Sequence, residues 1–399
     1  MPLRYLVCTA LCWSAIFTNG FAQRVWVVAT QPGPGVDFTD IQAAVTAAAD
    51  GDVVLVRAGT YSAFAIRQKS LVVEGDGPGA VSLGFTANLA ISDIDVSRSV
   101  VVRHIDVISS SFAPLLVTNC AGTVSVEDCR FLAVFAQSAT PGAYIAGSAR
   151  TALVRCELRG DAVRSFEVGL RVSGSTVHLH GCRINGSSPM TSAASGADGC
   201  DLRSSALYAT GTTFAGGDGS AAPSAPFCIP PGNGGNALFL DAASSAVLLD
   251  CALLPGQPGL PGTCPPAQPG APIAGTGSAT FPLGQTGRLD ASSTVRAGGS
   301  WSIALQGPAS ATAFLLLGVR SAPAFLADCG GTVHPDLSGP IVVVGAFLPP
   351  SGTLAFSFPV PASLPALGLP LVAQIFFATA GTGCTVGEPS FPLFLDSRF

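Results

Sequence analysis

The chain reads as an all-β protein: a right-handed parallel β-helix with an N-terminal capping helix, followed by a C-terminal antiparallel β-sandwich. Three observations predict it. Six short segments align on one position, Ile105, Cys129, Cys156, Cys182, Thr212 and Cys251, with separations of 24, 27, 26, 30 and 39 residues. Periods of this size mark a solenoid whose units bury their apolar faces by stacking. Within each segment apolar residues sit at offsets −5, −3, 0 and +2, as in Val124, Val126, Cys129 and Phe131. Steps of two are strand alternation, and the step of three is a corner between two strands. Finally, 47 Gly and 31 Pro with only 11% charged residues exclude a helical bundle, and 48% hydrophobic residues exclude a disordered chain.

Taken in order, residues 1–22 have the pattern of a secretory signal. Arg4 precedes the apolar run Tyr5 to Phe17, and Gly20-Phe21-Ala22 offers a small-x-small cleavage site. The run falls short of a membrane span, no second spanning segment follows, and the expected location is extracellular. Phe38 to Tyr61, FTDIQAAVTAAADGDVVLVRAGTY, then joins a short amphipathic helix to a buried strand. Thr39 and Gln42 have capping-box spacing, Ile41, Val45 and Ala48 form one apolar stripe, and Gly51 stands where the helix should stop. Val53 to Val56 is a β-branched run. Further short strands precede the aligned segments at 115–117, 143–145, 169–172, 200–202 and 237–240, so each coil holds several strands and no recurring helix.

At this point the chain resembles the pectin-lyase-like parallel β-helix family, over roughly residues 25–255. The residues carrying the resemblance are the 38–61 stretch, Glu74 to Gly77 (EGDG) and the aligned coils. The resemblance implies the fold and leaves the activity open, since such folds host many functions. The motifs of its enzymes are missing: no NTD, GHG or RIK pattern, no calcium-binding carboxylate cluster, and no placeable oxyanion Gln. No catalytic residue carries over, and no cofactor or metal is implied.

Stacking ~4.8 Å apart, Cys129, Cys156 and Cys182 should form an inward column continued by Thr212. Free thiols filling a narrow core is the leading reading; a disulfide between adjacent rungs and a metal or reactive role stay open. Cys228 with Cys264, and Cys329 with Cys384, are the candidate disulfide pairs. Position +1 faces solvent and reads Asp106, Arg130, Glu157, Arg183 and Thr213. Alternating charge there is a salt-bridge ladder worth a few tenths of a kcal/mol per pair, or a carbohydrate site with Asp106 and Glu157 as acid and base and the two Arg on a substrate carboxylate. Two rungs, ~9–10 Å, would suit an inverting hydrolase, but the interleaved Arg should keep both carboxylates ionised. At position −1, His104 and Asp128 read as ordinary turn hydrogen bonding, or as a base and its orienter. His178 and His180 share one strand with no third metal ligand evident.

The insertions 186–199 and 216–235 are rich in Ser, Ala, Gly and Pro, with Phe227 their one aromatic platform. Residues 256–282 read as a Pro/Gly linker containing a collagen-like GxPGxPG run. Residues 283–399 hold five or more apolar strands between Gly/Pro turns, the β-sandwich signature, and their ending resembles a C-terminal module of secreted bacterial proteins.

A single Lys and 18 Arg against 24 acidic residues exclude a general nucleic-acid surface. The favoured expectation is a secreted, non-catalytic β-helix that binds or structures extracellular polysaccharide or a cell surface. The alternative is a polysaccharide lyase or glycoside hydrolase with its site on the coils.

Overall fold

The computed structural model describes residues 24–134, 140–161, 167–191, 193–222, 228–260, 265–364, 367–379 and 383–399. The signal segment, Phe227 and Cys264 lie outside the described residues. Two units emerge from the contact pattern: residues 25–286 with 325–332, and residues 287–324 with 333–399.

The first unit is a parallel β-helix. Its chain visits three sheets in turn, here A, B and C, so that each sheet gains one strand per coil. Among the described residues sheet A holds ten strands, from Val25–Val28 to Ser278–Thr280, while B and C hold eight each. Pairing is parallel and in register throughout, as in Val100↔Val124↔Thr151↔Val177. The inward offsets agree with the sequence pattern: Val124, Val126, Cys129 and Phe131 are all fully buried in one apolar core.

Two single-residue corners per coil make this possible. Between sheets A and B, His104, Asp128, Arg155, Gly181, Gly211 and Asp250 all take the left-handed conformation, with φ from 48° to 60°. Between sheets C and A the same role falls to Gln68, Asp93, Asn119, Gly147, Gly174 and Ser204. A left-handed residue reverses the chain direction in one step, and Asn, Asp and Gly tolerate it best. The step of three in the sequence pattern is this corner.

Where the residue after a corner is Ser, Cys or Thr, it points inward and its side chain can accept from the amide of the preceding rung. Along one edge Cys120 N–H donates to Ser148 Oγ (3.3 Å), Ser148 to Ser175 (3.0 Å), Ser175 to Ser205 (3.2 Å) and Ser205 to Ser244 (3.1 Å). Along the other, Ile105 N–H donates to Cys129 Sγ (3.4 Å) and Cys182 N–H to Thr212 Oγ1 (3.3 Å). A corner amide left without a partner inside the core would cost ~1–3 kcal/mol. The Cys column therefore does more than fill volume, and Thr212 can replace a Cys because it too supplies an acceptor.

Cys120, Cys129, Cys156, Cys182, Cys200 and Cys251 are free thiols. Burial raises the pKa of Cys129, Cys156 and Cys200 far above the usual thiol range and pushes Cys251 up to about 12. Such thiols are inert. Cys228, Cys329 and Cys384 are disulfide-bonded, the last two being the pair expected from sequence. Alkylation without reductant should label the six core thiols only after denaturation, as read by peptide mass; labelling of Cys129 or Cys156 in native protein would contradict this packing.

The N-terminal cap differs in detail from expectation. Helix α1 spans Ile41–Ala47, its N-cap is Asp40 rather than Thr39, and Asp40 Oδ1 accepts from Ala43 N at 2.9 Å. Gln42 does not reach back. Its amide instead pairs with both backbone groups of Ala65 (2.7 and 3.3 Å), on the first strand of sheet C. A strand edge left bare would template further pairing, so Gln42 serves the solenoid better than a capping box would. The helix ends at Ala47, before Gly51, because Lys69 Nζ donates to the carbonyls of Val45, Thr46 and Ala48 at 2.7–2.8 Å. The chain's one lysine thus satisfies the free C-terminal carbonyls. A strand the sequence reading passed over, Val25–Val28, precedes the helix and pairs with Asp52–Val56.

The stretch 256–282 is corrected too. Ile273–Gly275 pairs with sheet C and Ser278–Thr280 with sheet A, so the solenoid continues through much of the expected linker. The insertions, all between sheets B and C, pack as extended segments with Gly at every third residue, as in Gly216/Gly219, Gly232/Gly235 and Gly256/Gly259. Their backbones hydrogen-bond sideways: Gly217 N to Ala197 O, Gly235 N to Gly217 O and Gly256 N to Gly235 O, each 2.8 Å. A Cβ on Gly196, Gly217 or Gly232 would lie 1.8 Å from a neighbouring carbonyl oxygen. This is the close-approach logic of collagen, achieved within one chain.

The second unit is mostly antiparallel, as predicted, with one parallel pair, Thr294–Arg296 beside Leu393–Leu395. One sheet contains Thr312–Gly318, Ile341–Phe347, Val372–Thr379 and Gly383–Ser390. Another contains Arg288–Ala291, Ser300–Gln306 and Thr353–Pro359. Trp301, Ile303, Leu315, Ile375 and Phe377 lie in its core.

Candidate functional site

The outer face of sheet B carries the predicted charge column. Ser82, Asp106, Arg130, Glu157, Arg183 and Thr213 stand in register on successive strands. Strand alternation turns them outward, because their neighbours Val107, Phe131, Leu158, Ile184 and Phe214 fill the core. Arg130 bridges the two acids: its NH1 lies 3.4 Å from Asp106 Oδ2 and its Nε 3.2 Å from Glu157 Oε2. The ladder is therefore real between Asp106 and Glu157.

It stops there. Arg183 is in register with Glu157, yet it makes no ion pair among the described residues. Arg159, two residues after Glu157 on the same strand and one rung from Asn185, is also exposed and has no ion pair among the described residues. Arg159 was missed in the sequence because it lies at offset +3, beyond the aligned segment; its alternation with the buried Leu158 was the available signal. Sheet B thus presents Arg130, Arg159 and Arg183 against Asp106 and Glu157, a balance of +1 on a chain of −5.

Asp106 departs from expectation. Burial raises its pKa despite the neighbouring Arg130, which pulls the other way. Loss of solvent outweighs a single half-exposed guanidinium here. Burial and Arg130 thus act on Asp106 in opposite directions, and burial is the larger influence.

The corner side chains find other partners. His104 Nε2 and Asp128 Oδ2 are 3.8 Å apart, beyond hydrogen-bond reach. His104 Nδ1 meets Glu74 Oε1 at 3.1 Å instead. Asp128 is taken by Arg155, which binds both its oxygens at 2.9 Å and also contacts Glu127. Arg103 links Glu127 (2.8 Å) to Glu74 (3.2 Å). The outcome is a chain of alternating charges, Glu74–Arg103–Glu127–Arg155–Asp128, with its first three members buried. Every carboxylate in it is engaged by a cation, which suits structure better than proton transfer. The pairing was hidden because Glu74, Arg103 and Glu127 become neighbours only through the register of sheet A.

His178 and His180 are both buried, and burial pushes each pKa down to about 3. His178 Nδ1 lies 3.0 Å from Thr332 Oγ1, and its ring stacks on Tyr208, which stacks in turn on Phe325. Among the described residues no three His, Cys, Asp or Glu side chains converge on a metal-sized position.

No family model matches the chain, and no curated protein does. Similar solved structures are phage tailspikes. Full-length tailspike protein 2 of Escherichia coli O157:H7 bacteriophage CAB120 is 12% identical, with a TM-score of 0.28 over 95% of this chain and 64% of that one. The enzymatically active domain of bacteriophage CBA120 tailspike protein 4 is 12% identical, at TM-score 0.27 over 88% and 65%. Tailspike gp49 of Acinetobacter baumannii bacteriophage Fri1, a capsular polysaccharide depolymerase, is 9% identical, at 0.22 over 94% and 86%. The chain spans about two thirds of the length of the first two. At these scores the likenesses carry no argument about activity, and the functional reading rests on the residues of this chain.

Proposed function

We propose that this chain is a secreted, pectin-lyase-like β-helix protein that binds an acidic extracellular polysaccharide along the outer face of sheet B. The observation that carries the reading is the pair of exposed guanidinium groups, Arg159 and Arg183, with no ion pair among the described residues, beside the bridged Arg130. They lie on adjacent rungs, ~4.8 Å apart across the sheet and two residues apart along it. A uronate carboxylate can accept charge-assisted hydrogen bonds from both. The acids Asp106 and Glu157, held by Arg130, and the hydroxyls of Ser82 and Thr213 supply acceptors and donors for sugar hydroxyls along the same line. Polygalacturonate is the natural first probe. Replacing Arg159 and Arg183 together by Ala should weaken its binding at least tenfold, and binding should fall steeply with added salt. Unchanged affinity in the double variant would remove the reading.

A second reading, cleavage of the bound chain, is favoured by one observation: Asp106 has a raised pKa while Glu157 stands two rungs away across Arg130. A protonated Asp106 could give its proton to a glycosidic oxygen, with Glu157 activating water. Shortening of the polysaccharide by wild-type protein, abolished in Asp106→Asn with binding retained, would establish hydrolysis; binding without shortening supports the non-catalytic reading.

A further inference from the structure

Sheet C carries a second outward column of different chemistry. Leu116, Tyr144, Arg171, Asp201 and Phe239 follow one another in register, one per rung. Tyr144 and Phe239 are half-buried, each between two fully buried core residues on its strand, so their rings belong to the outer face. Three rungs separate them, ~14 Å.

Between the rings the polar groups are held together loosely. Arg171 NH2 lies 3.6 Å from Glu167 Oε2 and Arg171 Nε 3.6 Å from Asp201 Oδ2, both beyond hydrogen-bond length. Among the described residues neither Glu167 Oε2 nor Arg171 Nε has a hydrogen-bond partner, although the Glu167 side chain is only 5% exposed. Asp201 is held from its other oxygen by Arg203 at 2.9 Å, and the Arg203 guanidinium lies 5.0 Å over the Phe239 ring. Buried polar atoms without partners are costly. A donor on Arg171 beside acceptors on Glu167 and Asp201 matches a pair of adjacent hydroxyls, each of which can both donate and accept.

Charge selects among ligands. Arg171 and Arg203 stand against Glu167 and Asp201, and Asp198 and Asp241 lie close enough to act on Arg203, so this face carries no excess of positive charge. Sheet B, at +1, favours a polyanion; sheet C does not.

We propose that the outer face of sheet C is a separate platform for an uncharged glycan, which lies across the rungs with sugar faces on Tyr144 and Phe239 and hydroxyls on Arg171, Glu167 and Asp201. The C–H face of a pyranose is apolar and packs on an aromatic face, whose electron density attracts it. A few polar groups between two such anchors fix orientation. The platform is independent of the sheet B reading and goes beyond it.

The test is isothermal titration calorimetry on the full chain, with cellohexaose, laminarihexaose and maltohexaose as neutral probes and polygalacturonate as the acidic one. At least one neutral hexaose should bind. Tyr144→Ala and Phe239→Ala should each weaken it at least tenfold, Tyr144→Phe should keep affinity within threefold, and Arg171→Met should lose it. The Arg159→Ala/Arg183→Ala double variant should bind the neutral probe as wild type does. The proposal fails if no neutral hexaose binds, or if affinity survives in a folded Tyr144→Ala or Arg171→Met protein. Sensitivity of the neutral probe to the sheet B variant alone would also overturn it. Polygalacturonate is read separately, so failure of one site leaves the other decided on its own data.

Discussion

Ile41→Asp should open the N-terminal end of the solenoid and lower stability by ~4–5 kcal/mol. Ile41 is fully buried in the β-helix core, with Ala44 and Val45 on the same helical stripe. Removing a buried Ile side chain costs ~2–5 kcal/mol, and a carboxylate in that apolar site adds a desolvation penalty. The loss should be local before it is global, because a solenoid's coils interact chiefly with their nearest neighbours. Hydrogen exchange should therefore accelerate in α1, in Val25–Val28 and in Asp52–Val56, while the strands from Thr176 onward keep their protection. Thermal melting should fall by ~10 °C or more at ~2–4 °C per kcal/mol. Ile41→Val, which keeps the shape and loses one methylene, should cost only ~1 kcal/mol. Polygalacturonate binding on Arg159 and Arg183 should persist below the melting point. Uniform loss of protection in all coils would contradict a cap that acts on one end.

What could be read in advance was whatever repeats with the rung. Val124, Val126, Cys129 and Phe131 announce themselves because strand alternation is local and every coil repeats it. The column Asp106, Arg130, Glu157, Arg183 followed once the strands were aligned, since parallel pairing in register places equal offsets side by side. Partnerships among the corner side chains stayed hidden. Glu74 holds His104 across 30 residues, and Arg155 takes Asp128 from the rung above. Nothing in one segment says which neighbouring rung its corner side chain will reach. Tyr144 and Phe239 were hidden for another reason: the strands of sheet C follow insertions of unequal length, so their outward column has no fixed period in the chain. Asp40 displaced Thr39 as the N-cap by a single residue, within the usual uncertainty of helix ends. Gln42, chosen for a helix role, went to the edge of sheet C because two unpaired backbone groups at Ala65 outweigh one at a helix end.

The insertions are the part of the fold whose glycines were counted without their reason being visible, and Gly217 makes that reason testable. Gly217→Ala should cost ~3 kcal/mol and lower the melting temperature by ~6–12 °C. The added Cβ would lie 1.8 Å from the Ser187 carbonyl oxygen and 2.4 Å from its carbon. Those are backbone atoms, so no rotamer change relieves the clash and a neighbouring segment must move. Movement there breaks the sideways bonds through Gly217, from its own N–H to Ala197 O and from Gly235 N–H to its carbonyl. Gly196 and Gly256 pack on the same carbonyl, with virtual Cβ positions 1.8 and 1.9 Å from it, so displacement of Gly217 reaches both neighbouring segments. Loss of glycine's conformational freedom alone cannot give this result. Gly174 has φ of 55° with nothing within 4 Å of an added Cβ, and Gly174→Ala should cost only the left-handed strain, ~1–2 kcal/mol. Exchange at the amides of Gly217, Gly235 and Gly256 should rise in Gly217→Ala and stay unchanged in Gly174→Ala. Equal melting temperatures in the two variants would mean that the insertions do not pack backbone on backbone. A larger drop for Gly217→Ala, with exchange changed at those amides alone, would identify glycine at every third position as what lets three loops form one hydrogen-bonded layer beside sheets B and C.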